Sequence, residues 1–429
     1  MSTESENLEL EKEAAAETKI SWKEPCLAWF VSRVFCVGLM YAGAYFFPCN
    51  IDFKSVNPGA GSHGDLSEYF QQYAANPEAI GKYPMVGVQP GGSWKWLQPM
   101  VRWDSIWYLS IVHAGYVSNP ELPIQQNTAF FPLYPMLIRG LSFVGINPLI
   151  GGLLISNLAT LLCTCLLFQL VSRLYSQQAA RWSVLMWLFY PASIFGSSIY
   201  AEPLLALFML LALYQVQSQK YLATGMLAAV ASVARPPGLL IGLSILNGWR
   251  DKRKHVLLFG LMLSGLGLVV HFSWLGYRFG DPLLYFHGKS AWGTGMESST
   301  PWNPLRWGLT VVAATYQAIA LFIRGEPDFE FYSCRFTDTF LMFWAFFSLL
   351  AVRKMGLGVF LMTLGMYMLP LVARGSVSSM GRFSWVLIPI FVMAGVKLSG
   401  SKYRYVTLLF FICMHAWLAF LFGGGWEVI

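Results

Sequence analysis

Residues 148–172, PLIGGLLISNLATLLCTCLLFQLVS, carry no charged side chain, and apolar stretches of similar length recur along the chain. A run of about 20 such residues crosses the hydrocarbon core of a bilayer as a helix, because only a helix satisfies every backbone N–H and C=O where there is no water. The bulk composition agrees. Of 429 residues, 12% are charged, about half the share found in soluble domains. A soluble chain of this length needs polar helix faces, and most segments here have none.

The sequence therefore predicts an all-α polytopic membrane protein with about 11 transmembrane helices, some of them broken. Residues 1–25 form an acidic tail with seven Glu against three Lys. They lack the basic start and short apolar core of a cleaved signal peptide, and placing the basic clusters inside by the positive-inside bias puts the tail on the cytoplasmic side. Residues 26–429 read as a single multi-pass domain. Its first span is 27–47, with Arg33 near one end, where its side chain would reach the headgroups. Residues 48–146 are expected to form a first non-cytoplasmic loop with interfacial helices, including TAFFPLYPMLIRGLSF at 128–143. Further spans are expected near 148–172, 182–199, 202–218, 256–275, 336–352, 355–372, 383–398 and 405–422. Residues 306–323 must not span fully if the count is to hold. The stretch 221–249 is interrupted by Arg235-Pro236-Pro237-Gly238 and predicts two half-helices meeting at a polar cavity.

The net charge of +7 does not point to nucleic acid. Lys and Arg sit singly or in small groups between apolar runs, RDKRKH at 250–255 being the strongest, as the positive-inside bias produces. The seven cysteines show no metal-ligand spacing. There is no nucleotide-binding glycine loop, no HExxH and no DxD pair. No metal or cofactor is expected.

Four places on the non-cytoplasmic side carry polarity beyond what solvation needs. The first is VRWDSIWYLSIVHAGY (101–116), with Arg102, Trp103, Asp104, Trp107 and Tyr108. The second is SSIYAEPLL (197–205), where Glu202 opens a helix. The third is RFGDPLLYFHGKSAWGTG (278–295), with Asp281, His287, Lys289 and Trp292. The fourth is VARGSVSSMGRF (372–383), with Arg374 and Arg382. Arg235 can point to the same side. Each has a plain structural alternative: Glu202 suits the positive end of a helix, Asp281 before Pro282 suits a turn or cap, and tryptophans suit the interface. Together they suit group transfer from a lipid-linked anionic donor. A carboxylate takes a proton from an acceptor hydroxyl. Cations, here Arg102, Arg235, His287, Lys289, Arg374 and Arg382, hold the departing phosphate. Trp103, Trp107, Tyr108, Tyr134, Glu202, Asp281 and Trp292 remain for acceptor or sugar contact.

RWDSIWYLSIVHAGY followed by AFFPLYPMLIR (129–139), then YAEPLLAL (200–207), SVARPPGLL (232–240), GDPLLYFHGKSAW (280–292) and SSMGRF (378–383), resembles the PIG-V family of mannosyltransferases over nearly the whole chain. The resemblance implies a GT-C-type glycosyltransferase fold with a non-cytoplasmic active site. It also implies a polyprenyl-phosphate sugar donor such as dolichyl-phosphate mannose, a glycolipid or glycan acceptor, transfer with inversion, and Asp104 as catalytic base. For a eukaryotic chain it implies the second mannose of GPI-anchor synthesis, the endoplasmic reticulum membrane and a small membrane partner subunit; for a bacterial one, the plasma membrane. Two other classes compete. A transporter or lipid flippase would use the same charges as a path, but needs polar groups reaching both faces. A non-catalytic subunit of a glycosylation complex would keep only a lipid-binding surface.

Overall fold

The computed structural model describes residues 22–48, 92–118, 126–290, 336–374, 377–426 and 428, with isolated positions between 312 and 325. The acidic tail up to residue 21, most of the 48–146 loop before Gly92, Trp292 and most of 306–323 lie outside the described residues.

The described chain is helical. In order, α1 is Lys23–Phe46, α2 Asp104–Ala114, α3 Leu133–Phe143, α4 Pro148–Leu174, α5 Gln177–Leu188, α6 Glu202–Gln217, α7 Tyr221–Ala234 and α8 Lys254–Ser264. There follow α9 Leu266–Phe279, α10 Leu284–Ser290, α11 Thr337–Val352, α12 Leu357–Arg374, α13 Met380–Trp385, α14 Ile388–Ser399 and α15 Arg404–Gly424. Tighter 3-10 turns occupy Gly92–Met100, Pro191–Ser197 and Pro236–Gly248.

Four helices among the described residues are long and apolar enough to cross a membrane: α1, α4, α8 continued by α9, and α15. Counting Pro191–Ser197 with α6, across a 100° bend, brings the number to five. This corrects the expected 11. The reason is that hydropathy records apolar side chains without saying what they face, and a protein core has the same composition as a lipid-facing helix. Within α14, Ile388 to Met393 are all buried in protein. Elsewhere the expected spans are cut. The run 182–199 stops at Leu188 and continues as a 3-10 turn. The run 383–398 divides between α13 and α14. The run 221–249 breaks at Arg235 as expected, where Pro236 and Pro237 cannot donate the next helical hydrogen bonds, and its second half is a 3-10 turn.

Ser105 through Val112 of α2 are all buried, and a helix covered all round shows no amphipathic stripe. One more expectation changes. Arg33 does not reach the headgroups. It is 5% exposed and donates to the carbonyls of Ser193 at 2.9 Å and Leu188 at 3.1 Å and to Ser197 Oγ at 3.2 Å. The bend after α5 leaves carbonyls without helical partners, and the guanidinium serves them inside the protein.

α1 packs along α15, and α5 along α14. Gly43 and Gly423 let the first pair touch: a Cβ on Gly43 would run into the Phe420 backbone, and one on Gly423 into that of Met40. Small residues allow this close approach between membrane helices. Where both helices end, Trp426 Nε1 donates to Phe47 O at 3.0 Å.

Candidate functional site

Four charged side chains from distant parts of the sequence meet at places where a helix starts or breaks. Asp104 is the first residue of α2, preceded by Trp103 at φ 52°, ψ −118°. Such a backbone costs a non-glycine residue about 1–3 kcal/mol and persists only where surroundings hold it. Here the Trp103 indole donates to Trp426 O at 3.1 Å and Arg102 donates to Gly423 O at 3.0 Å. Glu202 opens α6. Arg235 sits in extended backbone, φ −155°, ψ 139°, after α7. Arg382 rides on the short helix α13.

Arg382 Nη1 lies 2.5 Å from Asp104 Oδ2, and its Nε 3.1 Å from Glu202 Oε1. Arg235 closes the ring, with Nη1 2.8 Å from Glu202 Oε1 and Nη2 3.7 Å from Asp104 Oδ2. The Glu202 side chain is fully buried, while that of Asp104 is 16% exposed. Of the two carboxylates, Asp104 is the one a substrate can reach. Arg382 also stands over the rings of Phe383, Phe195 and Tyr200 at 5.4–5.7 Å.

Burial pushes the Asp104 carboxyl up, but the positive charges of Arg382, Arg235 and Lys289 and the Arg382 hydrogen bond outweigh it and hold it below the usual carboxylate value. Burial also pushes the Tyr108 phenol far up, against the pull of Arg235, so it stays protonated. In formal charge, the three cations exceed Asp104 and Glu202 by one. The cluster is therefore suited to an anion, with an ionised carboxylate beside it.

The other expected residues fall into distinct settings. Lys289, on α10, acts electrostatically on Asp104. Asp281 and His287 engage each other, Oδ2 to Nδ1 at 2.7 Å, while Asp281 Oδ1 accepts the Leu283 N–H at 2.8 Å. Trp107 is buried and stacks on Phe130. The Tyr134 hydroxyl bonds Gly152 O and Ser156 Oγ and so ties α3 to α4. Arg374 ends α12, with its side chain outside the described set, as Trp292 is. Sequence reasoning missed Asp338, which is 4% exposed on α11. The one available signal was a lone acid opening an apolar helix, TDTFLMFW.

The family model for mannosyltransferase (PIG-V) matches residues 91–248, a stretch that contains Asp104, Glu202 and Arg235. A mouse protein named GPI alpha-1,6-mannosyltransferase 2 is 25% identical over 253 residues, 49% of this chain and 48% of its own length. A GPI mannosyltransferase 2 of Yarrowia lipolytica is 26% identical over 164 residues, 38% of this chain and 43% of its own. One of Cryptococcus neoformans is 25% identical over 161 residues, 34% of this chain and 36% of its own. The matches span less than half the length of these curated relatives. No solved structure matches.

Proposed function

The chain belongs to the PIG-V mannosyltransferase family of the GT-C superfamily, and from that premise we propose that it transfers a sugar, mannose, from a polyprenyl-phosphate donor to a hydroxyl of a glycolipid acceptor. One observation carries the reading: a reachable carboxylate, Asp104, shares one cluster with two arginines and lies under the influence of a lysine.

In the proposed reaction Asp104 takes the proton from the acceptor hydroxyl. The oxygen attacks the anomeric carbon from the face opposite the phosphate. The bond from that carbon to the phosphate oxygen breaks, and the polyprenyl phosphate leaves with the electron pair. Arg382, Arg235 and Lys289 hold the phosphate and stabilise the charge it gains. An incoming phosphate competes with Asp104 for the two guanidiniums, which loosens their hold on the carboxylate and makes it a better base once the donor is seated. Glu202, fully buried, keeps both guanidiniums in place throughout. The names of the relatives support an alpha-linked mannose and a GPI-type acceptor.

Incubating the purified protein with polyprenyl-phosphate mannose and a panel of acceptor lipids tests this. The expected product is heavier than its acceptor by one hexose. No hexose gain on any acceptor, with the donor intact, would overturn the reading.

A further inference from the structure

We infer that Asp338 is a positioning residue for transfer: its buried carboxylate clamps the backbone just ahead of Arg382 and sets where that guanidinium meets Asp104 and Glu202. The inference rests on Asp104 and Arg382 acting in the transfer proposed above.

Asp338 stands in the first turn of α11. Its Oδ2 accepts the N–H of Ser379 at 2.6 Å, and its Oδ1 accepts that of Gly381 at 2.7 Å. Two bonds from one rigid carboxylate to amides two residues apart fix the direction of the segment as well as its place. The segment needs holding, because Ser379 is left-handed at φ 65°, ψ 12°, a conformation serine seldom adopts. Gly381 is fitted to the clamp. A Cβ there would lie 2.9 Å from Asp338 Oδ1 and 2.7 Å from Leu341 Cδ1, so a side chain would push the carboxylate and Leu341 out of place.

The far end of α13 is pinned separately. Trp385 and Trp187 stack with ring centres 5.2 Å apart, and each indole donates to the other's backbone oxygen at 3.1 Å. Arg382 lies between the two anchors, one residue past Gly381. The two bonds of Asp338 go to backbone amides just ahead of Arg382, so its influence on the cluster passes through that backbone.

Asp338→Asn tests the clamp, since an amide nitrogen then faces one of the two N–H donors. Amide exchange across 377–385 is expected to quicken. The kcat is expected to fall by about 10²-fold, the scale of a small misplacement of a reacting group, with acceptor KM moving less than about threefold. Paired with Arg382→Gln, the double variant is expected to be no slower than Arg382→Gln alone, because Asp338 acts through that residue. Asp338→Glu, which keeps the charge, should recover part of the rate. If Asp338→Asn does not fold, Gly381→Ala opens the clamp from the other side and must give the same pattern. Unchanged exchange, or losses that multiply in the double variant, would overturn the inference. If the wild type transfers no sugar, the transfer reading fails, and amide exchange still decides whether Asp338 holds the segment.

Discussion

Arg382 reaches Asp104 across 278 positions of sequence, with 2.5 Å between guanidinium nitrogen and carboxylate oxygen. The contact joins two distant parts of the chain at one partly exposed point. Asp104 enters it from the start of α2, and Arg382 from the short helix α13. Neither helix is long enough to cross a membrane, and both are held by the packed helices around them.

Asp104→Asn should abolish transfer while the protein still inserts and folds. A positioned base contributes about 10²–10⁴-fold, and the amide keeps the shape while removing the proton acceptor. Steady-state transfer with purified protein checks this, with thermal unfolding in the same detergent as the control. A variant that turns over at the wild-type rate would remove Asp104 from the base role.

Glu202→Gln should harm stability more than Asp104→Asn does. Glu202 is fully buried and faces both arginines, whereas Asp104 is 16% exposed and water can partly replace it. Removing one partner of a buried pair costs about 3–5 kcal/mol, because the remaining charge stays unpaired. Comparing the melting temperatures of the two variants decides the order. Equal losses would mean that Glu202 is solvated to a degree its burial denies.

Helical class, membrane character and the residues that form the cluster were all legible in the sequence. Glu202, Arg235 and Arg382 stand out because each is a charge beside a Pro or Gly in an apolar stretch, and Asp104 because it is a lone acid among aromatics. Their mutual pairing was not legible. The sequence offers Glu202 for acceptor contact, but nothing local tells that its carboxylate is sealed against two arginines. The span count failed for a related reason. Ile388 to Met393 would read the same facing lipid or facing α5 and α11, and only the packing distinguishes them. Asp338 escaped because the groups it holds at Ser379 and Gly381 are backbone amides, which leave no residue type to notice.

Gly43→Ala should loosen the seam between α1 and α15. Its new methyl meets the Phe420 backbone, which cannot swing aside as a side chain would, and such overpacking costs about 1–3 kcal/mol. Gly38→Ala on the same helix is the control, since nothing lies within 4 Å of its Cβ position. Thermal unfolding of both variants should separate them. Equal melting temperatures would show that the seam gives way freely.

The pH profile of transfer gives a sharper test of the cluster. Asp104 is faced by Arg382, Arg235 and Lys289, with Glu202, Tyr108 and Tyr200 close by. Burial raises its pKa, the cations lower it by more, and the net result lies below the usual value, near 3.9 for a free aspartate. Its depressed pKa fixes the sign. The stability it contributes is fully present above about pH 4 and is lost as pH falls through the lower folded value. The base form needed for transfer persists over the same range, so Asp104 should impose no acid limb on kcat/KM between about pH 5 and 8. Arg382→Gln removes the nearest cation and leaves burial opposed by Arg235 and Lys289 alone, so an acid limb should move up toward neutral pH in that variant. Measuring kcat/KM against pH for wild type and Arg382→Gln distinguishes the cases. An Asp104-dependent limb near pH 6 already present in the wild type would mean that the arginines do not hold the carboxylate ionised.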